Sequence, residues 1–179
     1  HMVFAGGEED AGGLAALSRR PLQQTAWIAP PAEGTLPAAV VAADTPLGTL
    51  HVLHVHLTSP SIDADAVRSF LGTLRLREGE IRAFWPHMPA DGPGVVLGDF
   101  NEGDWGFALD WLRRRGWQDA LWPFERHRPT WRYSLCRRWI RERLDHVVHS
   151  PDLLAVAAEV RHVGGSDHYP VVATLAPRA

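Results

Sequence analysis

A short apolar run, residues 94–97, leads directly into Gly98-Asp99-Phe100-Asn101. Side chains in an extended strand alternate between its two faces, so Asp99 and Asn101 point to the same side. Carboxylate and amide oxygens are ligands that Mg²⁺ and Mn²⁺ prefer. The same residue types are common in turns. This segment alone therefore leaves a metal site and a plain turn about equally open.

The other apolar runs predict a fold rich in short strands. Residues 50–57 alternate between apolar and polar side chains, and His56 lies at the end of this strand. Near-helical spacing of apolar residues predicts helices over 62–84 and 104–115. Further strands are predicted at 25–29, 38–43, 94–97, 144–148, 157–163 and 170–175. About seven strands and two main helices in mixed order predict an α+β fold.

The chain has 179 residues, 45% of them hydrophobic, which allows one domain with a sizeable core. His1 and Met2 are typical of a cloning remnant, residues 3–13 predict a loose N-terminal segment, and residues 14–179 predict the single domain. No apolar run is long enough for a membrane helix and no signal-peptide pattern is visible, so a soluble, cytoplasmic protein is the default expectation. The single cysteine, Cys136, excludes an internal disulfide.

A second polar motif, Gly165-Ser166-Asp167-His168, places an acid beside an imidazole just before a predicted strand. Two further segments carry polar residues at strand ends, Arg143-Leu144-Asp145 and His56-Leu57. Residues 14–21 form an apolar run that ends in Ser-Arg-Arg-Pro. The chain thus presents several polar motifs in a fixed order, each next to a predicted strand.

These motifs resemble the endonuclease/exonuclease/phosphatase superfamily, metal-dependent phosphoesterases with a deoxyribonuclease I-like fold. The resemblance extends over most of the chain and implies a truncated version of the family's two-sheet αββα sandwich. It also implies a hydrolase of phosphate esters, with phosphodiesters favoured. Such an enzyme would use Mg²⁺ or Mn²⁺ to activate the attacking water.

The resemblance implies a role for each matching residue. Asp145 would pair with His168 and fix its tautomer, while His56 would lie on the phosphate side of the site. Asp99 is the candidate base. The implied catalytic residues are His56, Asp99, Asn101, Asp145 and His168. The implied metal ligands are Asp99, Asn101, Asp167 and His168.

The chain departs from the family at its N-terminal side. A strand bearing an asparagine and a strand bearing a Gln-Glu pair, whose glutamate is a principal metal ligand in the family, have no visible counterpart. Three explanations stay open: the chain is a fragment, it is a minimal form that borrows a partner's surface, or Glu8, Glu9 or Asp10 replaces the missing ligand. A shortened sandwich exposes a sheet edge, so we predict a homodimer.

Substrate choice is expected to depend on the arginine-rich and aromatic connection over residues 117–143, whose composition suits a small organic phosphate ester. The net charge of −3 argues against a broad nucleic-acid-binding surface, so a nuclease acting on DNA or RNA is a less favoured alternative. A non-catalytic relative acting as a binding module is the other alternative. Arg143 is either a phosphate ligand or, more commonly for such a residue, a salt-bridge partner.

Overall fold

The computed structural model describes residues 1–5, 13–33, 35–46, 48–60, 66–135 and 138–178. The strands in these ranges are β1 (Met2–Ala5), β2 (Leu14–Leu17), β3 (Leu22–Ile28), β4 (Ala38–Thr45), β5 (Gly48–His56), β6 (Gly94–Asp99), β7 (Gln118–Asp119), β8 (Trp131–Leu135), β9 (Arg138–Glu142), β10 (Asp145–His149), β11 (Leu153–Val160) and β12 (Val171–Pro177). The helices are α1 (Ala66–Phe84), α2 (Phe107–Arg113) and α3 (Trp122–Glu125). None of the described helices is long and apolar enough to cross a membrane.

Six strands form the central sheet in the order β3-β4-β5-β6-β10-β7. β5 and β6 are parallel, which requires a crossover connection, and α1 provides it. The other neighbours in this sheet are antiparallel. The remaining strands form three pairs, β1 with β2, β8 with β9, and β11 with β12. The predicted α+β class is therefore confirmed.

Two apolar cores lie on opposite faces of the central sheet. Val148 of β10 belongs to the core beneath the helices, which includes Phe84 of α1 and Leu109 of α2. Its neighbour Val147 packs against the second core, which joins β11 and β12 to Leu121. Adjacent strand residues point to opposite faces, so the helices pack on one face of the six-stranded sheet and the pair of β11 and β12 packs on the other. This is the truncated two-sheet sandwich that the motifs predict.

The N-terminal strand corrects one prediction. Residues 3–5, predicted as part of the loose segment 3–13, pair with β2, with Val3 opposite Ala16. Residues 2–5 are all apolar, but so short a run without alternation does not by itself indicate a strand, and the pairing with β2 defines it. The acidic run Glu8, Glu9 and Asp10 lies outside the described residues. The rest of the division into an N-terminal segment and one domain stays a prediction.

The connection over residues 117–143 also differs from expectation, because it contains β7, α3, β8 and β9. Its strands are rich in arginine and aromatic residues, and Arg132 of β8 stacks over Trp139 of β9 at 5.6 Å. The predicted helix over 104–115 begins later, at Phe107, because a backbone hydrogen bond from Gly106 to the Gly103 carbonyl forms a turn before it. The predicted strand 157–163 starts earlier, at Leu153, and ends at Val160.

Gly98 allows β5 and β6 to approach closely where their polar ends meet. Its φ is 135°, a backbone conformation that residues other than glycine rarely adopt. A Cβ atom at this position would overlap the Val55 carbonyl oxygen. We expect Gly98→Ala to lower the free energy of unfolding by about 2 kcal/mol or more, measured by urea denaturation. The control Gly72→Ala, in α1 with open space around the added methyl, should instead raise it by up to about 1 kcal/mol. Equal stability of Gly98→Ala and wild type would contradict this geometry.

Candidate active site

The ends of three adjacent strands bring polar side chains together at one edge of the central sheet. In the parallel pair of β5 and β6, His56 lies next to Asp99. In the antiparallel pair of β6 and β10, Asp145 lies opposite Asp99. Directly paired residues place their side chains on the same face of a sheet. The register alone therefore gathers three of the predicted site residues.

His168 reaches this edge because its segment pairs with the start of β8. Trp131 and His168 form an isolated antiparallel bridge. The Arg132 backbone N–H donates to the Asp167 carbonyl at 2.9 Å, and the Tyr169 N–H donates to the Thr130 carbonyl at 2.7 Å. The connection that the sequence leaves without structure thus holds the second motif in place.

The side chains of His56, Asp145 and His168 lie around the Asp99 carboxylate. Nε2 of His56 lies 3.7 Å and Nε2 of His168 lies 3.8 Å from the same oxygen, Oδ2 of Asp99. On its other side, the His168 ring places Nδ1 2.9 Å from Oδ2 of Asp145. This contact orients the imidazole so that Nε2 faces Asp99, which is the tautomer-fixing arrangement that the resemblance implies for Asp145.

The electrostatics of this cluster fit a divalent cation. Asp99, Asp145 and His168 each offer one ligand atom, and these atoms lie within 4.8 Å of one another. Burial, followed by the negative charge of Asp145, raises the pKa of Asp99, while the hydrogen bond to Asp145 raises the pKa of His168. A positive ion would relieve the repulsion between the two carboxylates. Hard oxygen donors with room for water suit Mg²⁺ or Mn²⁺.

The sequence matches the sequence model of a known protein family. The model of the Endonuclease/Exonuclease/phosphatase family matches residues 1–168, nearly the whole chain and every strand end described above. The chain belongs to this family. A comparison with curated protein sequences gives no match.

The fold is similar to that of several solved structures, the first of them an endonuclease/exonuclease/phosphatase. One from Beutenbergia cavernae has a TM-score of 0.66 and 21% identity, and the match covers 92% of this chain and 47% of that chain. The 3′ phosphatase NExo from Neisseria, bound to a product DNA hairpin, has a TM-score of 0.63 and 19% identity, and the match covers 98% of this chain and 79% of that chain. A mannosyl-6-phosphatase from Bacteroides thetaiotaomicron has a TM-score of 0.56 and 15% identity, and the match covers 98% of this chain and 76% of that chain. The chain spans about half the length of the first of these proteins.

Asn101 is buried next to the cluster, and its hydrogen bonds fix the position of Asp99. Its Nδ2 donates to the Leu57 carbonyl at 2.8 Å, and its backbone N–H donates to Oδ1 of Asp99 at 2.8 Å. Its φ of 51° is a left-handed conformation that asparagine tolerates well. Asn101 therefore links the end of β5 to Asp99, and its role as a metal ligand stays a prediction.

Asp167 stands apart from the other predicted metal ligands. Its carboxylate is exposed and accepts a hydrogen bond from the Trp131 indole N–H at 3.3 Å. The group of residues with closely spaced ligand atoms contains Asp99, Asp145 and His168 but not Asp167. The possible ligand group thus includes Asp145, predicted only to orient His168, and does not include Asp167. The assignment of Asp167 as a ligand stays a prediction.

Thr130 is a residue that the sequence gives no reason to select. Its buried Oγ1 accepts the backbone N–H groups of both Leu144 and Asp145 at 2.9 Å. Its own carbonyl accepts the Tyr169 N–H. Thr130 therefore fastens the segment of Asp145 to that of His168, and no motif or spacing marks it.

A buried ion pair that the sequence does not reveal lies behind the strand ends. Nε of Arg77 lies 3.5 Å from Oε2 of Glu102, with both side chains 0% exposed. Arg77 also donates to the Thr58 carbonyl, while Glu80 accepts from the backbone N–H and hydroxyl of Thr58. Oε1 of Glu102 accepts the Leu109 N–H in the first turn of α2. These contacts tie both helices to the loops that follow His56 and Asn101.

Arg143 proves to be a salt-bridge partner, and a buried one. Its guanidinium pairs with Asp119 at 3.2 Å and with Asp104. Burial lowers the pKa of Arg143 to about 10, so it remains a cation at neutral pH. Two carboxylates already neutralise it, which argues against a role as a phosphate ligand.

Proposed function

We propose that this chain is a divalent-cation-dependent hydrolase of phosphate esters, with phosphodiesters as its favoured substrates. The observation that carries the proposal is the group of Asp99, Asp145 and His168, with His168 oriented by Asp145 and directed at Asp99. Membership of the endonuclease/exonuclease/phosphatase family supports phosphoester hydrolysis as the general reaction. Mg²⁺ or Mn²⁺ is the proposed cofactor.

Asp99, His168 and His56 have different roles in the proposed reaction. A cation held at Asp99 would polarise a phosphoryl oxygen and favour ionisation of a bound water. Asp99 is also the proposed acceptor of the proton of the attacking water. With the cation on the carboxylates, Nε2 of His168 is left to donate a hydrogen bond to a phosphoryl oxygen, because Asp145 raises the pKa of His168. His56, whose Nε2 also lies near Asp99, would donate a second one.

Hydrolysis of bis(4-nitrophenyl) phosphate tests the proposal. We expect turnover with Mn²⁺ or Mg²⁺ and none after removal of the cation with EDTA. If the rate with the cation equals the rate with EDTA, the proposal fails. Cleavage of plasmid DNA under the same conditions tests the nuclease alternative. A small organic ester is preferred as substrate because the chain carries a net charge of −3.

Cation binding has a readout that does not depend on activity. At about 100 times its Kd, Mn²⁺ should stabilise the fold by about 2.7 kcal/mol and raise Tm by about 5–10 °C. Asp99→Asn should lose this shift, because it removes the central carboxylate. The control Asp91→Asn, at an exposed carboxylate outside the cluster, should keep it. A shift that persists in Asp99→Asn would place the cation elsewhere. A shift in wild type without turnover would favour the binding-module alternative.

The proposed homodimer follows from the shortened second sheet, which consists of β11 and β12 in the described part of the chain. Large apolar side chains on β1 and β2 are also exposed, among them Met2, Phe4 and Leu17. Such surface is commonly covered by a partner. The dimer is a prediction that a measurement of mass in solution will check, and a strictly monomeric protein would contradict it.

A further inference from the structure

A pocket of about 420 Å³ opens beside the candidate active site. Its walls come from residues 103–105 after β6, residues 126, 127 and 129 after α3, and residues 141–143 at and just after the end of β9. Two of these segments lead directly to site residues, since Asn101 precedes the first and Asp145 follows the third. Two residues of extended chain span about 7 Å. The pocket is therefore a neighbour of the carboxylate cluster rather than part of it.

Two arginines from separate segments line this pocket, and neither has a carboxylate partner among the residues that the structure describes. Neither Arg126 nor Arg141 forms an ion pair with any residue in the described part of the chain, although acidic residues outnumber basic ones overall. The deeper Arg143 differs, because Asp104 and Asp119 neutralise it. Two guanidinium groups with unneutralised charge in one concave site indicate a place for an anion.

The surroundings of Arg126 orient its guanidinium before any ligand arrives. The group lies over the Trp122 ring, 4.8 Å from its centroid, and Nε donates to Nε2 of His127 at 3.0 Å. An arginine held in this way loses less conformational entropy when it binds an anion. Trp105, 58% exposed, adds an aromatic surface to the same pocket.

Glu142 is the acidic residue of this lining that opposes anion binding. It forms no ion pair with Arg126 or Arg141, and burial raises its pKa. Asp104 is occupied by Arg143. Among the described residues of the lining, the two arginines without an ion pair therefore outweigh the one carboxylate without an ion pair, which leaves the pocket with a positive charge.

We propose that this pocket binds a second phosphate group of the substrate, so that preferred esters carry a phosphate next to the one that is hydrolysed. The proposal rests on the proposed function, because it assigns the scissile phosphate to the Asp99 cluster. Guanidinium groups recognise phosphate oxygens through paired hydrogen bonds. Trp105 would pack against the organic part of the ester between the two phosphates.

Two chromogenic esters that differ by one phosphate test this inference. They are the 4-nitrophenyl ester of thymidine 5′-phosphate and the same ester with an additional 3′-phosphate. Wild type should prefer the second by about tenfold or more in kcat/KM, mainly through a lower KM. Arg126→Ala and Arg141→Ala should each reduce this preference by up to about tenfold. The control Arg114→Ala, an exposed arginine paired with Asp110 on α2, should keep the wild-type preference.

The possible failures are distinguishable. If the two esters are hydrolysed equally well by wild type, the proposed function stands and the second-phosphate site is wrong. If the preference of wild type survives unchanged in both Arg126→Ala and Arg141→Ala, the additional phosphate is recognised elsewhere and the second-phosphate site is also wrong.

A binding measurement covers the case in which neither ester is hydrolysed. Titration calorimetry without divalent cation should show about tenfold tighter binding of thymidine 3′,5′-bisphosphate than of thymidine 5′-phosphate. Arg126→Ala and Arg141→Ala should weaken the first ligand more than the second. Equal affinities in wild type would overturn the assignment without reference to activity.

Discussion

Replacing Asp99 with asparagine is expected to lower kcat/KM for bis(4-nitrophenyl) phosphate by about 10³-fold or more. The substitution keeps the shape of the side chain but removes the charge that faces both His56 and His168. His168→Ala should cause a loss of about 10²- to 10⁴-fold, because it removes the group that Asp145 orients. Initial rates at the Mn²⁺ concentration that saturates wild type, measured over a range of substrate concentrations, provide the measurement.

Two control variants separate a catalytic loss from general damage. Asp91→Asn and His87→Ala make the same chemical changes at exposed positions away from the cluster and should retain wild-type rates. Because Asp99 and His168 would act as a unit, the double variant should be little worse than either single one. Activity of Asp99→Asn within about tenfold of wild type, in a protein that unfolds at the wild-type temperature, would remove Asp99 from the proposed reaction.

Much of the candidate site is predictable because its residues follow apolar strands. Asp99 ends β6 and His56 ends β5, so parallel pairing places them side by side. Asp145 begins β10, and antiparallel pairing sets it opposite Asp99. The alternation and the polar strand ends are visible in the sequence, and the sheet register then places the polar residues next to one another.

Other parts of the site depend on contacts that no local pattern encodes. Asp167 belongs to the motif, yet its carboxylate accepts a hydrogen bond from the indole of Trp131, distant in sequence, and is not in the group of closely spaced ligand atoms. Thr130 acts through one hydroxyl group on two backbone N–H groups. The sequence does not predict the pair of β8 and β9, because these strands lack the apolar alternation that marks β5. Arg77 lies within a helical pattern, where a charged residue is ordinarily solvated.

Arg77→Met is expected to lower the free energy of unfolding by about 3–5 kcal/mol. Arg77 and Glu102 are both 0% exposed, so loss of the guanidinium leaves a buried carboxylate without its cation. The Thr58 carbonyl also loses its donor. Burial already raises the pKa of Glu102 and lowers that of Arg77, as expected for charges held away from water. Urea denaturation monitored by tryptophan fluorescence measures the effect.

The same substitution elsewhere on α1 provides the control. Arg82 is exposed and pairs with Glu78 one turn away at 3.5 Å, so Arg82→Met should cost no more than about 0.5 kcal/mol. Adding Glu102→Gln to Arg77→Met should recover part of the lost stability, because no unpaired charge then remains buried. If Arg77→Met is as mild as Arg82→Met, the pair contributes little and the loops after His56 and Asn101 must be held by the hydrogen bonds of Glu80 and Asn101 instead.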